Sequence, residues 1–289
     1  MVTVKAYAKI NLHLDICGIR NDGYHDVETV MQTVSLCDEV TVSFSECDRV
    51  TCECNVEGVP TDEKNIAVKA AILFAQKSGM DSGVHIKIEK NITMAAGLAG
   101  GSADAAATLR ALNILHGNIF TVQELCDIAS CLGADVPFCI VGGCSYTDGK
   151  GDVLHSFPPI PKDTVFLIAC GGEGVSTPWA YRLMDEVFDN FLSYSPKGVD
   201  RLKQVLLSEK PQSFANCIFN IFESPVLERR PVAELIKSTM LKNGAVAAMM
   251  SGSGPSVFGI FKSEEDAKLV EEKIKNSGYF AQACYPIEI

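Results

Sequence analysis

The chain contains a run of small residues that could hold a chain of phosphates. Residues 95–101 read Ala-Ala-Gly-Leu-Ala-Gly-Gly, in which only Leu98 has a side chain larger than a methyl group. Such a segment lets backbone amides approach a ligand closely, and its glycines can adopt a positive φ. A helix is expected after Ser102, and helix N-termini favour anions because their N–H groups are unpaired. The pattern predicts a phosphate-binding loop; the alternative is a packed turn before a core helix.

A lysine and an amide lie two residues apart near the start of the chain. From Val2 to Ile16 apolar and polar residues alternate without a break, which predicts a strand divided by a bulge or bend. Lys9 and Asn11 belong to the polar face of that strand. This face could line a cleft, or it could simply be solvated.

A carboxylate follows a capped amphipathic helix. Residues 121–124 form a capping box, and Gly133 is expected to end the helix that begins there. Asp135 comes directly afterwards, two residues before Pro137. An aspartate in this position is either a turn former or a positioned carboxylate, and the turn former is the simpler interpretation.

An aromatic and an imidazole occur together in a turn-rich segment, residues 18–25, which reads Gly-Ile-Arg-Asn-Asp-Gly-Tyr-His. Binding loops often have this composition, and so do hairpin connections. Residues 143–150, Gly-Cys-Ser-Tyr-Thr-Asp-Gly-Lys, superficially resemble a Walker A loop. The glycine spacing is wrong and Gly151 stands where Ser or Thr is required, so this motif is rejected.

Composition limits the classes of function. The 289 residues are 47% hydrophobic and 21% charged, and the net charge of −11 argues against a nucleic-acid or anionic-membrane partner. No apolar stretch approaches the ~18 residues of a membrane span, and the first ten residues lack a signal-peptide layout. The 12 cysteines are scattered without metal-ligand spacing and are interpreted as reduced thiols. A cytoplasmic location is expected.

These residues must be positioned by a mixture of helices and strands. The periodicities predict an α+β protein with a domain junction near the proline-containing segment 157–162. Thr177 is the expected N-cap of a helix with Pro178 at its first position. The further predicted elements are strands at 40–54, 84–89, 165–169, 245–249, 257–261 and 280–285, and helices at 65–79, between Ser102 and Gly117, at 121–132 and at 263–276.

Three separated motifs resemble those of the GHMP kinase superfamily, and the resemblance runs nearly end to end. The first is Ala-Lys-Ile-Asn-Leu-His-Leu at 8–14, followed by Gly-Tyr-His at 23–25. The second is residues 94–106, which contain the glycine-rich loop, and the third is Ser-Gly-Ser-Gly-Pro-Ser at 251–256. The resemblance implies a two-domain GHMP kinase fold with the active site in the cleft between the domains. Residues 1–156 would form a ribosomal-protein-S5-like α/β domain with the phosphate loop, and residues 157–289 a ferredoxin-like α+β domain.

Within the superfamily, the first motif and Leu-Gly-Ala-Asp-Val-Pro at 132–137 resemble members that act on a cytidine-diphosphate-linked sugar alcohol. The implied activity is ATP-dependent phosphorylation of its 2-hydroxyl in non-mevalonate isoprenoid precursor biosynthesis. By the same resemblance Asp135 would be the catalytic base, with Lys9 as its partner near the transferred phosphoryl group. The implied partners are small molecules, with no nucleic acid and no membrane, and the oligomeric state is open.

The resemblance also implies binding residues for both substrates. Asn65 would lie close to the adenine of ATP. The implied cytidine-substrate residues are Asn11, Tyr24, His25 and Tyr181, with Trp179 competing with Tyr181 as the second aromatic. The residues implied to wrap the ATP phosphates are Thr93, Met94, Ala95, Ala96, Gly97, Leu98, Ala99, Gly100, Gly101, Ser102 and Ala103. Thr93 stands where the family usually has proline, which leaves the glycines intact. Mg²⁺ is implied as well, and no ligand can be assigned, although Ser102 and Asp104 are near the right place.

Two alternatives remain open. One is another small-molecule kinase of the superfamily, of the mevalonate or homoserine type; the Gly-Tyr-His stretch disfavours it because those substrates carry no base to stack. The other is a ligand sensor that keeps the fold and binds nucleotide without catalysis. Retention of both Lys9 and Asp135 disfavours the sensor.

Overall fold

Two β-sheets form from the segments in which apolar residues alternate or run together. The computed structural model describes residues 1–79, 83–191 and 194–289. Up to residue 156 the elements are β1 (Val2–Ile19), β2 (His25–Phe44), β3 (Val50–Cys54), α1 (Ile66–Ser78), β4 (Val84–Glu89), α2 (Gly100–Leu115), α3 (Val122–Ser130), α4 (Asp135–Val141), β5 (Cys144–Asp148) and β6 (Val153–Ser156).

The remaining elements include the strands of the second sheet and the helices that pack on it. They are β7 (Val165–Cys170), α5 (Thr177–Val187), a 3-10 turn (Asp189–Phe191), α6 (Asp200–Leu206), a second 3-10 turn (Pro211–Asn216), β8 (Phe219–Asn220), α7 (Glu223–Leu227), α8 (Pro231–Lys242), β9 (Ala247–Met250), β10 (Val257–Phe261), α9 (Glu264–Asn276) and β11 (Phe280–Cys284).

The first sheet has the order β3-β4-β2-β1-β8, with β5 also paired to β2 and β6 to β5. Its longest contact is the antiparallel pair β1 and β2, which runs from Val2 opposite Val42 to Ile19 opposite His25. The predicted first strand is confirmed, but it continues to Ile19. Register shifts after residues 7, 11 and 16 let this long strand twist while it stays paired along its length.

Helices α1 to α4 pack together around a core that they share with the first sheet. Helix α1 follows the prediction, with Asn65 as N-cap and Gly79 in the left-handed conformation at its end. Helix α2 begins at Gly100, earlier than predicted, because the chain enters the helix directly from a left-handed Ala99. The predicted capping box at Thr121 is confirmed; its helix ends at Ser130, short of Gly133.

The second sheet is antiparallel, with the order β11-β7-β10-β9, and α8 and α9 pack on it. The predicted strand at 257–261 is confirmed, while β9 begins two residues later than predicted. The predicted N-cap of α5 is wrong: the Ser176 hydroxyl accepts the backbone N–H of Trp179, and Thr177 is the first helical residue. The segment that superficially resembles a Walker A loop forms β5 and the turn after it, and not a phosphate-binding loop before a helix.

The two sheets share part of one core. Strand β8 pairs in parallel with β1, at His13 opposite Phe219. A cluster of buried residues joins Ile10 and Leu12 of β1 with Phe166 and Phe258 of the second sheet. The α+β fold is confirmed, and the domain boundary at 156/157 stays a prediction. No helix within the described residues is long and apolar enough to cross a membrane.

Candidate active site

The motifs from the two halves of the chain meet at one cleft of about 1200 Å³. Except for Ala103, which is buried in α2, every residue predicted to belong to the site lines this cleft. Trp179 does not line it. The predicted site residues at the cleft are Lys9, Asn11, Tyr24, His25, Asn65, Thr93, Met94, Ala95, Ala96, Gly97, Leu98, Ala99, Gly100, Gly101, Ser102, Asp135 and Tyr181.

The cation and carboxylate predicted from distant segments are neighbours. The Lys9 ammonium lies 3.7 Å from Oδ2 of Asp135 and donates a 2.7 Å hydrogen bond to Oδ1 of Asn11. The Asn11 amide nitrogen in turn donates to the Thr29 hydroxyl at 2.8 Å. The polar face of β1 is therefore not solvated here, and it presents Lys9 to the cleft with its position fixed by hydrogen bonds.

Asp135 is the first residue of helix α4, so the interpretation of it as a turn former is wrong. A carboxylate in a first helical turn is stabilised by the unpaired N–H groups there. The Asp135 side chain is 37% exposed, whereas that of Lys9 is 6% exposed. The carboxylate can thus meet a ligand from the cleft, while the ammonium approaches from the protein side.

Contacts from two other segments hold the glycine-rich loop. The backbone N–H groups of Lys9 and Ser256 donate to the carbonyls of Leu98 (3.1 Å) and Ala96 (3.2 Å). The Ser251 hydroxyl donates to the carbonyl of Gly97 at 3.1 Å. A Cβ at Gly97 would lie 2.2 Å from the Ser251 carbonyl oxygen, and its φ is +76°, so only glycine fits. The third motif of the sequence therefore supports the loop from behind.

A buried ion cluster that the sequence analysis did not identify fastens both ends of this loop. The Lys90 ammonium is hydrogen-bonded to Asp38 and, at 2.8 Å, to Asp104 near the start of α2. Oδ1 of Asp38 also accepts the backbone N–H groups of Asn91 (2.5 Å) and Ile92 (2.8 Å), where the loop starts. Burial raises the pKa of the Asp104 carboxyl to about 7, and the Lys90 ammonium opposes that shift.

Asp104 is a candidate ligand for a divalent cation. Oδ1 of Asp104 is buried without a hydrogen-bond partner, and Asp104 and Ser102 both line the cleft beside the loop. No cluster of three or more His, Cys, Asp or Glu side chains suited to a metal occurs in the described part of the chain. This donor set suits Mg²⁺, which protein sites commonly hold through one or two carboxylates and the phosphates of a nucleotide.

Aromatic rings form one wall of the cleft. The ring centroids of His25 and Tyr181 are 4.8 Å apart, and Tyr24 lies on the hairpin turn with 61% of its surface exposed. The Lys150 ammonium lies 4.0 Å from the centre of the Tyr24 ring. Trp179 instead contacts the Arg230 guanidinium, 4.8 Å from its ring centre. Of the two competing aromatics, Tyr181 is the one in the cleft.

Asp185 and Lys150 also line this cleft, and neither was predicted from the sequence. Asp185 follows Tyr181 by one helical turn on α5, so an i, i+4 comparison with the aromatic could have identified it. Lys150 belongs to the segment that was set aside when the Walker A resemblance was rejected. Asn65, predicted to lie near an adenine, lines the cleft and caps α1 by accepting the N–H of Ala67 at 2.9 Å.

This fold and cleft define a small-molecule kinase of the GHMP type. The model of the GHMP kinase N-terminal domain matches residues 65–143, and that of the C-terminal domain matches residues 202–279. The chain belongs to the GHMP kinases, which confirms the resemblance seen in the sequence.

Particular members of the family match the chain over almost its whole length. A 4-diphosphocytidyl-2-C-methyl-D-erythritol kinase of Acetivibrio thermocellus is 41% identical over 96% of this chain and 95% of its own. One from Geobacter metallireducens is 39% identical over 96% and 95%. A solved 4-(cytidine 5'-diphospho)-2C-methyl-D-erythritol kinase superposes with a TM-score of 0.79 at 29% identity, covering 99% of both chains. A homoserine kinase of Cytophaga hutchinsonii, at a TM-score of 0.74, 21% identity and coverage of 99% and 95%, shows the common fold alone.

Proposed function

We infer that this protein is an ATP-dependent kinase that phosphorylates the 2-hydroxyl of 4-diphosphocytidyl-2-C-methyl-D-erythritol in non-mevalonate isoprenoid precursor biosynthesis. The observation that carries this conclusion is the convergence of an aromatic wall, a Lys–Asp pair and a glycine-rich loop at one cleft. Kinases of that name that are 41% and 39% identical to this chain over 96% of its length support the same substrate.

In the proposed mechanism Asp135 accepts the proton of the attacking hydroxyl. Phosphoryl transfer depends mainly on alignment and on stabilisation of charge, so the protein needs a base, a cation and a cradle for the phosphates. Lys9 is already held 3.7 Å from the base, where its ammonium would stabilise the charge that develops on the transferred group.

The glycine-rich loop and the start of α2 would bind the ATP phosphates. Backbone N–H groups at the N-terminus of a helix point towards an anion, and the helix dipole favours negative charge there. Asn65 lines the same cleft and would contact the adenine. Asp104 and Ser102 would hold Mg²⁺, which neutralises phosphate charge when it is bound.

The aromatic wall formed by Tyr24, His25 and Tyr181 would hold the cytosine. Asn11 would contact the part of the substrate nearest the reacting hydroxyl because it is hydrogen-bonded to Lys9. We expect the reaction to occur in the cytoplasm. All twelve cysteines are free thiols, as is usual in a reducing compartment.

A coupled assay of ADP release tests the proposal directly. The purified protein is supplied with ATP and Mg²⁺ and with one of three alcohols: the cytidylylated methylerythritol, mevalonate or homoserine. We expect ADP release with the first alcohol alone. Release with mevalonate or homoserine instead would replace the proposal with another GHMP activity. Binding of ATP without turnover of any alcohol would indicate a sensor.

A further inference from the structure

The imidazole of His25 is held by a carboxylate from the second half of the chain. Nε2 of His25 lies 2.7 Å from Oδ1 of Asp185. His25 is the first residue of β2, whereas Asp185 lies on α5 one turn beyond Tyr181. The His25 side chain is only 9% exposed, and its ring also contacts Phe191 edge-on, with centroids 5.9 Å apart. The orientation of this ring is therefore set by its contacts with Asp185, Phe191 and Tyr181.

The carboxylate also determines where the ring carries its proton. A neutral imidazole has one N–H and one acceptor nitrogen, and the hydrogen bond made by one nitrogen fixes the role of the other. Because an ionised carboxylate can only accept, the N–H must be at Nε2. In a neutral His25 ring, Nδ1 is then left with a lone pair, so that atom can accept a hydrogen bond and cannot donate one.

We propose that Asp185 is a positioning residue that fixes this tautomer of His25 and thereby makes the cleft select a 4-aminopyrimidine over a 4-oxopyrimidine. The exocyclic amine of cytosine donates a hydrogen bond that Nδ1 can accept. The 4-carbonyl of uracil is an acceptor, and it would leave two lone pairs facing each other. The inference rests on the proposed function, because it supposes that the aromatic wall holds the base.

A purely structural role predicts a different pattern of effects. If Asp185 only tied α5 to β2, its replacement would lower stability and would weaken the binding of both bases equally. Asp185 lines the cleft and its side chain is 30% exposed, so it is not a core group. A residue that fixes the His25 tautomer affects the preference for cytosine over uracil, whereas a residue that only links α5 to β2 does not. Measuring that preference therefore distinguishes the two roles.

The test compares Asp185→Asn with wild type by calorimetric titration with cytidine diphosphate and with uridine diphosphate. An amide can donate to Nε2, so the variant can shift the His25 proton to Nδ1, as Asn for Asp does in the serine-protease triad. We expect the preference for cytidine diphosphate to fall about tenfold or more, the effect of one mismatched hydrogen bond. Nitrogen-15 NMR of the His25 ring should show Nε2–H in wild type and its loss in the variant.

Glu186→Gln is the matched control, because it removes the same charge from the next position of α5, where the side chain is exposed and lies outside the cleft. It should keep the wild-type preference. Asp185→Ala provides the same comparison if the Asn variant does not fold. A folded Asp185 variant with an unchanged preference, or a wild-type ring protonated at Nδ1, would overturn the inference. Neither measurement uses turnover, so failure of the proposed function would be seen separately, in the ADP-release assay.

Discussion

The Lys9 ammonium lies 3.7 Å from the Asp135 carboxylate, and the two groups differ sharply in their access to the cleft. Strand β1 and the start of α4 pack against each other, which brings the two side chains together. Lys9 is almost fully buried and Asp135 is more than a third exposed. A substrate hydroxyl can therefore reach the proton acceptor, while the cation keeps a fixed position behind it.

Replacing Asp135 with Asn should abolish most turnover and leave ATP affinity nearly unchanged. The amide keeps the shape of the side chain and loses the proton acceptor, and general bases contribute typically ~10²–10⁴-fold to a rate. The measurement is kcat by ADP release, with titration of a non-hydrolysable ATP analogue beside it. A variant that retains half of the wild-type kcat would remove Asp135 from the mechanism.

Lys9→Ala should lower kcat more than it raises KM, because the ammonium matters most when charge develops in the transition state. Lys5→Ala is the matched control: it removes a lysine four residues earlier on the same strand, where the side chain is exposed. Steady-state kinetics of both variants separate the two roles. An increase in KM at constant kcat would make Lys9 a substrate-binding residue only.

Neighbouring glycines of the loop should respond differently to the same substitution. A Cβ at Gly100 would lie 3.0 Å from Cγ2 of Ile92 and 3.2 Å from the Lys90 ammonium, whereas one at Gly101 meets nothing closer than 3.6 Å. Gly100→Ala should therefore destabilise the protein by about 1–3 kcal/mol and weaken binding of the ATP analogue. Gly101→Ala serves as its control in urea unfolding and calorimetry. Equal behaviour of the two variants would mean that the loop tolerates displacement of Lys90.

Tyr24→Ala should raise KM for the cytidylylated substrate and leave KM for ATP and the melting temperature close to wild type. Stacking of a base on an aromatic ring contributes roughly 1–3 kcal/mol, or about 5- to 150-fold in affinity. The ring is 61% exposed, so its loss removes little core packing. Tyr24→Phe keeps the ring and should behave as wild type. A fall in melting temperature with unaltered KM would show that Tyr24 only covers the core.

Acid should destabilise the protein through His13, on the buried part of β1. Burial lowers the pKa of His13 from 6.5 to about 4, so the folded protein keeps the ring neutral while the unfolded chain takes up a proton. Stability is consequently lost as pH falls from 6.5 towards 4, by roughly 3 kcal/mol. Urea unfolding across this range should show a weaker pH dependence for His13→Gln than for wild type.

Periodicity and turn residues predicted most of the fold because they act locally. The alternation along β1, the caps of α1 and α3 and the last strand-and-helix segment all depend on residues within a few positions of one another. Where two neighbours could serve equally, as Ser176 and Thr177 could at the start of α5, local chemistry does not decide between them. The early start of α2 was missed because glycine disfavours helix, although a Cβ at position 100 would crowd Ile92 and Lys90.

The parts of the site that the sequence left open depend on distant contacts. Residues 8–16 of β1 are buried on both faces, so the alternation could not reveal whether Lys9 was solvated. Asp38, Lys90 and Asp104 come from three separate parts of the chain, and nothing in their spacing indicates an ion cluster. The role proposed for Asp185 likewise depends on its contact with His25, which lies in a distant part of the chain.

The core that is shared between the two sheets has a consequence for synthesis on the ribosome. Ile10 and Leu12 leave the exit tunnel early, yet Phe258, which packs in the same buried cluster, is made almost at the end. At ~5–20 residues per second, roughly 12–50 seconds separate these events. During that interval the apolar face of β1 is exposed, because the residues of the second sheet that pack on it have not all been made. This face is therefore a site at which a chaperone would bind the nascent chain.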